Sequence, residues 1–114
     1  MNKDIFETLI FRLGEDLKER QHEVIPIPQE AKVKGEILPY EYFGEINKIL
    51  NVPASRIVLF YKDQILVKVM LVFVLSMKKA LLERLGHAEI ELPAEFHLTL
   101  QVCEQTECME LVYY

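Results

Sequence analysis

The sequence RIVLFYKDQILVKVMLVFVL, residues 56–75, contains two apolar runs separated by the polar residues 62–64. Apolar runs on either side of a short polar turn are typical of a β-hairpin. The second run is rich in valine, which favours a strand over a helix, and its one charged residue is Lys68. The almost uncharged stretch spans only residues 65–77, whereas a membrane-spanning helix needs roughly 20 apolar residues. We therefore predict a buried central strand and no membrane anchor.

The last third of the chain predicts a second hairpin. Residues 88–92, 97–103 and 108–114 alternate between apolar and polar side chains, as strands do. If residues 104–107 form a four-residue loop, Cys103 faces Cys108. The same register pairs three further sets of apolar residues, namely Val102 with Met109, Leu100 with Leu111 and Leu98 with Tyr113. One face of this hairpin is therefore predicted to be core throughout.

Three segments have helical patterns. The first, from Asp4 to about residue 20, combines capping-box spacing with an apolar stripe of Ile5, Phe6, Leu9, Ile10, Leu13 and Leu17. The second follows Pro39 and is stopped by Asn51 and Pro53; its apolar positions are Phe43, Ile46, Ile49 and Leu50. The third is capped by Ser76, closed by Gly86 and carries Met77, Leu81, Leu82 and Leu85 on one side.

Between the first two helical segments, residues 23–38 contain prolines that limit their role in a sheet. Val24, Pro26 and Pro28 mark an extended segment that belongs at a sheet edge, and residues 32–37 alternate as a short second strand. The predicted order is α-β-β-α-β-β-α-β-β-β. It describes a single compact α+β domain over residues 1–114, with a mainly antiparallel sheet covered by about three helices and a closing C-terminal β-hairpin.

The middle of the chain resembles the ubiquitin-like β-grasp folds in its order of elements. Two short strands, a helix, a hairpin, a helix and a strand follow one another, and residues 51–60, NVPASRIVLF, are similar to the helix-to-strand junction of those folds. The resemblance covers about half of the chain. The leading helix and the closing hairpin depart from it, and it implies a fold without implying a function.

Composition limits the classes of function. The 114 residues are 51% hydrophobic and carry a net charge of −5, which suits one domain with its own core. Eighteen acids against thirteen bases argue against a nucleic-acid partner, because phosphate binding needs a basic face. Two cysteines are too few for a disulfide scaffold, and Asp4 and Glu7 lie where a signal peptide is basic and then apolar. We expect a cytoplasmic protein.

No pattern of residues predicts catalysis, a cofactor or a metal. The four glycines are isolated, and the three histidines have no nucleophile beside them. Cys103 and Cys108 are two thiols at a hairpin end, or a redox pair that forms a cross-strand disulfide if their position is not hydrogen-bonded. A zinc site needs about four ligands, and His97 lies six residues from Cys103, roughly 20 Å along a strand.

Charge is distributed unevenly along the chain. Residues 85–114 contain six glutamates and no lysine or arginine, whereas residues 1–84 contain thirteen bases and twelve acids. Such a block forms either a solvated sheet face or a docking surface for a cationic protein. The contacts expected for docking are Glu89, Glu91, Glu110, Tyr113 and Tyr114, although the register directs Tyr113 into the core unless the strand end frays.

The leading hypothesis is a non-enzymatic protein–protein interaction module, such as an inhibitor, an immunity-type factor or an accessory subunit. It docks a partner with a basic surface through the acidic C-terminal sheet face. Two alternatives remain open. One is a homodimer that pairs through a sheet edge. The other is a small ligand-binding domain or enzyme whose site is assembled from residues distant in sequence.

Overall fold

A computed structural model describes residues 3–4, 10–28, 37–87, 90–91 and 97–114. Strands hold 49% of the described residues. The strands are β1 (Lys3–Asp4), β2 (Val24–Pro26), β3 (Leu38–Tyr42), β4 (Lys48–Ile49), β5 (Val52–Pro53), β6 (Arg56–Lys62), β7 (Ile65–Val74), β8 (Ile90–Glu91), β9 (Leu98–Cys103) and β10 (Cys108–Tyr113). The one α-helix among these residues is α1 (Lys78–His87), and the segments Leu17–Glu19 and Leu75–Met77 are 3₁₀ turns.

Six strands form an antiparallel sheet in the order β2-β3-β6-β7-β10-β9. The β6–β7 hairpin is confirmed, and its two turn residues, Asp63 and Gln64, have φ values of 51° and 68°. Positive φ at both central residues matches the right-handed twist of the strands that they join. Strand β7 lies inside the sheet between β6 and β10, which confirms the buried central strand. The proline-containing β2 lies at an edge, as predicted.

The C-terminal hairpin has the predicted register, with Cys103 opposite Cys108 and Leu98 opposite Tyr113. Its inward face is not core throughout, however. On β10 the inward residues are buried, whereas Val102 on β9 is 41% exposed. The difference arises because β9 is the outer strand of the sheet and has a neighbour on one side only.

The prediction of about three helices is wrong. The N-terminal segment contains a 3₁₀ turn at Leu17–Glu19, and residues 5–9 of the predicted helix lie outside the described part of the chain. Ile10 and Gly14 have φ values of 76° and 92°, which a right-handed helix does not permit. The backbone bonds to the β6–β7 hairpin instead, since Gly14 donates to the Leu66 carbonyl and Leu66 donates to Glu15, each at 2.8 Å.

The predicted second helix is replaced by strands. Pro39 lies within β3, opposite Phe60 of β6, and Leu50 and Asn51 form the turn between β4 and β5 with φ values of 53° and 64°. The tyrosines of β3 favour an extended backbone, and pairing with β6 satisfies the backbone hydrogen-bonding groups of that strand. The resemblance to β-grasp folds depends on this helix and is therefore not supported.

The third helix is confirmed, with different ends. Ser76 does not cap it, because Ser76 lies inside the preceding 3₁₀ turn and α1 begins at Lys78. Gly86 does not close it either, since α1 continues to His87. Leu81 is fully buried, whereas Leu82, assigned to the same face, is exposed. The predicted strand at 32–37 lies outside the described residues apart from Ile37.

The core lies on one face of the six-stranded sheet, which we call the first face. Segments 10–20 and 46–54 and Leu81 of α1 pack on it. Its fully buried side chains of greatest volume are Tyr113, Phe11, Phe73, Ile49, Leu59, Leu66, Leu71, Leu81, Met109 and Leu111. The chain therefore buries one side of the sheet without the layer of helices that its sequence pattern predicts.

Two buried tyrosines are expected to respond oppositely to removal of the hydroxyl. The Tyr113 hydroxyl donates to the Phe11 carbonyl at 2.5 Å, whereas the buried Tyr61 hydroxyl finds no hydrogen-bond partner in the described structure. An unmade hydrogen bond to a buried group costs about 1–3 kcal/mol. In urea unfolding, Tyr113→Phe should lower the free energy of unfolding by about that amount, and Tyr61→Phe should leave it unchanged or raise it. Equal losses in both variants would contradict these assignments.

Candidate interaction surface

The opposite side of the six-stranded sheet, which we call the second face, is formed by the alternate residues of the same strands. Residues paired across antiparallel strands point to the same side, so the register defines rows of neighbouring side chains. Two central rows follow from the pairing. They are Arg56, Val72, Glu110 and Gln101 in the first, and Glu41, Val58, Met70, Val112 and Thr99 in the second.

The centre of the second face is apolar. Val58, Val72 and Val112 are 2%, 9% and 8% exposed, and Met70 between them is half-buried. These valines are absent from the hydrophobic cluster of the first face, so they form a separate apolar layer. An antiparallel sheet with one face on the core commonly presents polar side chains on the other face. The second face departs from that pattern.

Large apolar side chains are also exposed around the margin of the second face. Phe43 is the most exposed, at 61%, and its backbone N–H bonds to Glu23 at the β2 edge. Ile25, Val74 and Tyr114 are exposed at other points of the margin. Exposed apolar groups on a largely apolar patch are characteristic of surfaces that bind other molecules.

Charged groups on the second face are of both signs. Arg56 Nε lies 2.8 and 2.9 Å from the two carboxylate oxygens of Glu41, and the Lys68 ammonium lies 5.0 Å from the centre of the Phe60 ring. Glu110 is half-buried between Val72 and Gln101 and makes no ion pair with any residue that the structure describes. The second face therefore carries charges of both signs around Glu110. Among the described residues, no cation pairs with the Glu110 carboxylate.

Of the predicted contact residues, Glu110 and Tyr114 lie on the second face. The Tyr114 ring stacks on His97 at 5.0 Å, and two backbone hydrogen bonds join these residues. Tyr113 faces the core and is fully buried, so its side chain is not part of the surface. Glu91 belongs to β8 but its side chain is outside the description, and Glu89 lies outside the described residues altogether.

Sequence reasoning missed the two cations of the second face. It assigned the charge of this face to the glutamates of the C-terminal block, whereas Arg56 and Lys68 lie on neighbouring strands of the same sheet face. A signal was available, because Arg56, Val58 and Phe60 alternate along β6 with Ile57, Leu59 and Tyr61, which face the core. The β-bulge at Phe60/Tyr61 keeps Lys68 opposite Phe60, and this irregularity has no clear signal in the sequence.

Cys103 and Cys108 face each other as free thiols at the loop end of the hairpin. Hydrogen-bonded and non-hydrogen-bonded positions alternate along such a ladder, and His97 with Tyr114 is a hydrogen-bonded pair. By that alternation Cys103 and Cys108 occupy a hydrogen-bonded position, which is not the position that the disulfide prediction requires. Thr106 Oγ1 lies 2.9 Å from Cys108 Sγ, and hydrogen bonding by Thr106 lowers the pKa of the exposed Cys103 thiol.

Other kinds of site have little support in the described residues. Within them, no group of three or more His, Cys, Asp or Glu side chains is arranged to hold a metal ion. An open cavity of about 400 Å³ is lined by Val74, Leu75, Ser76 and Glu107, with a single carboxylate. No helix in the described segments is long and apolar enough to cross a membrane.

Comparisons of the chain with protein-family models, with curated proteins and with solved structures gave no match.

Proposed function

We propose that this chain is a non-enzymatic protein-interaction module that binds through the second face of its sheet. The partner is a protein surface with an apolar centre and a cationic group placed over Glu110. The observation that carries the proposal is the set of exposed apolar side chains around the margin of the second face, namely Ile25, Phe43, Val74 and Tyr114. The Arg56 side of this face meets a carboxylate or another polar acceptor of the partner.

Burial of the second face supplies the affinity in this proposal, and charge supplies the specificity. Exposed apolar side chains such as Phe43 and Tyr114 gain roughly 25 cal/mol for each Å² of apolar area removed from water. A desolvated carboxylate without a cation would oppose binding, so the partner must offer one to Glu110. This requirement excludes a uniformly apolar partner and a uniformly acidic one.

A capture experiment with matched charge reversals tests the proposal. Immobilised wild-type chain and its Glu110→Lys variant are exposed to native cell extract at low and high salt. The control is Glu19→Lys, which makes the same change on an exposed residue of the 3₁₀ turn away from the second face. Glu110→Lys should reduce retention of the bound protein at least about tenfold and high salt should weaken it, whereas Glu19→Lys should have no effect.

Retention of the same proteins by wild type and by Glu110→Lys would contradict the proposal, and so would the absence of any bound protein, the chain itself included. Urea unfolding of each variant is the accompanying check. Glu110 is a half-buried residue within a strand, so a variant that does not fold would lose binding through misfolding and not through loss of the charge contact. Met70→Gln provides a second, uncharged change at the centre of the face and should weaken the same interaction.

A further inference from the structure

We propose that strand β9 pairs with β9 of a second copy of this chain, so that the two six-stranded sheets join at these edges. The two copies are related by a two-fold axis that is perpendicular to the sheet and passes beside Leu100. This inference goes beyond the proposed function, because it concerns a sheet edge and not the second face.

The free side of β9 follows from its bonds to β10. His97 and Tyr114 exchange two backbone hydrogen bonds, so the alternate residues 99, 101 and 103 of β9 also bond to β10. The backbone groups of Leu98, Leu100 and Val102 therefore point away from β10. Among the residues that the structure describes, no strand lies on that side of β9 and no backbone hydrogen bond reaches it. Each of these three residues offers one donor and one acceptor to an added strand.

The opposite edge of the sheet is blocked at the corresponding positions. Residues 23 and 27 make backbone hydrogen bonds to the β3 segment, so by the same alternation residues 24, 26 and 28 point outward. Pro26 and Pro28 occupy two of these outward positions and have no N–H to donate. Prolines and charged residues are the usual protection of an edge that remains free in solution. The sequence of β9, LTLQVC, contains neither, so β9 is the edge that is open to pairing.

A two-fold axis beside Leu100 uses all of the outward groups of β9. Leu100 then lies opposite Leu100 of the second copy, and Leu98 of each copy lies opposite Val102 of the other. Each of these pairs exchanges two backbone hydrogen bonds, as antiparallel strands do at alternate positions. An axis beside position 99 or 101 would leave one of the three outward residues without a partner.

The side chains also match in this register. On the first face Leu98 and Leu100 pack against the core, whereas Val102 is 41% exposed. Leu98 of the second copy lies beside Val102 and covers it. On the second face, Thr99 lies opposite Gln101, so no like charges meet across the new pairing. A copy of β9 therefore complements β9 in its backbone groups, its apolar row and its lack of charge.

Sedimentation velocity of the purified chain over a wide concentration range tests for the dimer. Wild type should shift from monomer to dimer as concentration rises, and high salt should leave this shift unchanged because β9 carries no charge. Val102→Pro removes an N–H that points to the second copy and none that bonds to β10. It should weaken dimerisation at least about tenfold. The matched control Val102→Thr keeps the N–H and the branched side chain, and it should retain most of the affinity.

Disulfide cross-linking tests the register. Thr99→Cys and Gln101→Cys are each made in a Cys103→Ser/Cys108→Ser background and are oxidised separately and as an equimolar mixture. Positions 99 and 101 of different copies form a non-hydrogen-bonded pair, with Cα atoms about 4.5 Å apart, whereas each position lies about 8 Å from its own counterpart. Cα atoms more than about 7 Å apart are not bridged by a disulfide. Only the mixture should therefore give a covalent dimer, with one copy of each variant.

Three outcomes overturn the inference. They are a wild-type chain that stays monomeric up to its highest soluble concentration, a dimer that responds equally to Val102→Pro and Val102→Thr, and cross-linking that is the same in all three oxidations. Urea unfolding shows whether Val102→Pro is folded. If it is not, the cross-linking decides alone, because Thr99 and Gln101 are exposed residues.

The proposed function fails or stands separately from this dimer. Retention of the chain itself through β9 does not involve Glu110, so the capture experiment judges the proposed function on the other retained proteins. A monomeric chain whose capture of another protein is lost in Glu110→Lys would keep the proposed function and remove the dimer. A dimer with the expected cross-link and no other captured protein would do the reverse.

Discussion

Replacement of Phe11 by alanine should lower the free energy of unfolding by about 3–5 kcal/mol, the usual cost of removing a buried aromatic side chain. Phe11 is 0% exposed and packs edge-to-face on Tyr42, with ring centres 5.1 Å apart. The Arg20 guanidinium group lies over the Phe11 ring, 4.7 Å from the ring centre. Alanine would leave a cavity beneath the sheet and remove a cation–π contact from a largely buried arginine.

Phe43→Ala is the matched control for this prediction. Phe43 is 61% exposed on the second face, so its loss should change the stability of the monomer by less than about 1 kcal/mol. Both variants are compared with wild type in urea, at a concentration where each is monomeric. The helices predicted from sequence place Phe11 off the apolar stripe of the first helix and Phe43 on the apolar face of the second, which would make Phe43→Ala the more costly substitution. Similar losses would therefore contradict the fold of the N-terminal segment.

Elements fixed by neighbouring residues are the ones that the sequence predicts well. The β6–β7 hairpin and the register of β9 with β10 follow from alternation and from the length of a short loop. Pro26 likewise predicts that β2 lies at an edge, because proline cannot donate to a second neighbour. In each case the deciding interaction lies within a few residues along the chain.

The predictions of the first two helices are wrong because their apolar spacing is also compatible with packing that involves distant residues. Gly14 costs a helix about 1 kcal/mol, and at a φ of 92° the same residue suits the turn that the chain makes. That turn is held by the Leu66 backbone, more than fifty residues away. Leu38–Tyr42 is extended because it pairs with β6, and local periodicity does not contain that information.

The candidate surface could be predicted only in part. The sequence places Glu110 and Tyr114 opposite the inward residues of their hairpin, and the structure agrees. It does not show that β10, and not β9, lies beside β7. The pairing of β10 with β7 brings Glu110 into one row with Arg56. It arises from the crossover through α1, a connection whose path depends on packing across the whole sheet.

Raising the pH from about 10 to about 12 should lower the stability of this protein, because two buried phenols oppose ionisation. Burial, aided by the charge of Glu15, raises the pKa of Tyr61 from 10.0 to about 12. Burial raises the pKa of Tyr113 as well. In the unfolded chain both phenols titrate near their ordinary value of about 10. Above that pH the unfolded state therefore binds fewer protons than the folded state, and deprotonation pulls the equilibrium towards unfolding.

The sign and size of this effect follow from the pKa of Tyr61. The stabilisation is fully present below pH 10 and is lost as pH rises through the interval from 10 to 12. Two pKa units correspond to about 2.7 kcal/mol at most, and Tyr113 adds to this loss in the same direction. A domain of this length has a total stability of roughly 6–17 kcal/mol, so the loss at Tyr61 is a sizeable fraction of the total. Urea unfolding followed by circular dichroism should show a free energy of unfolding that falls between pH 10 and pH 12. The variant Tyr61→Phe/Tyr113→Phe should lose stability less steeply with pH over this interval, whatever its stability at neutral pH. Ionisation of Tyr61 near pH 10 in a chain that remains folded would contradict the burial on which the prediction depends.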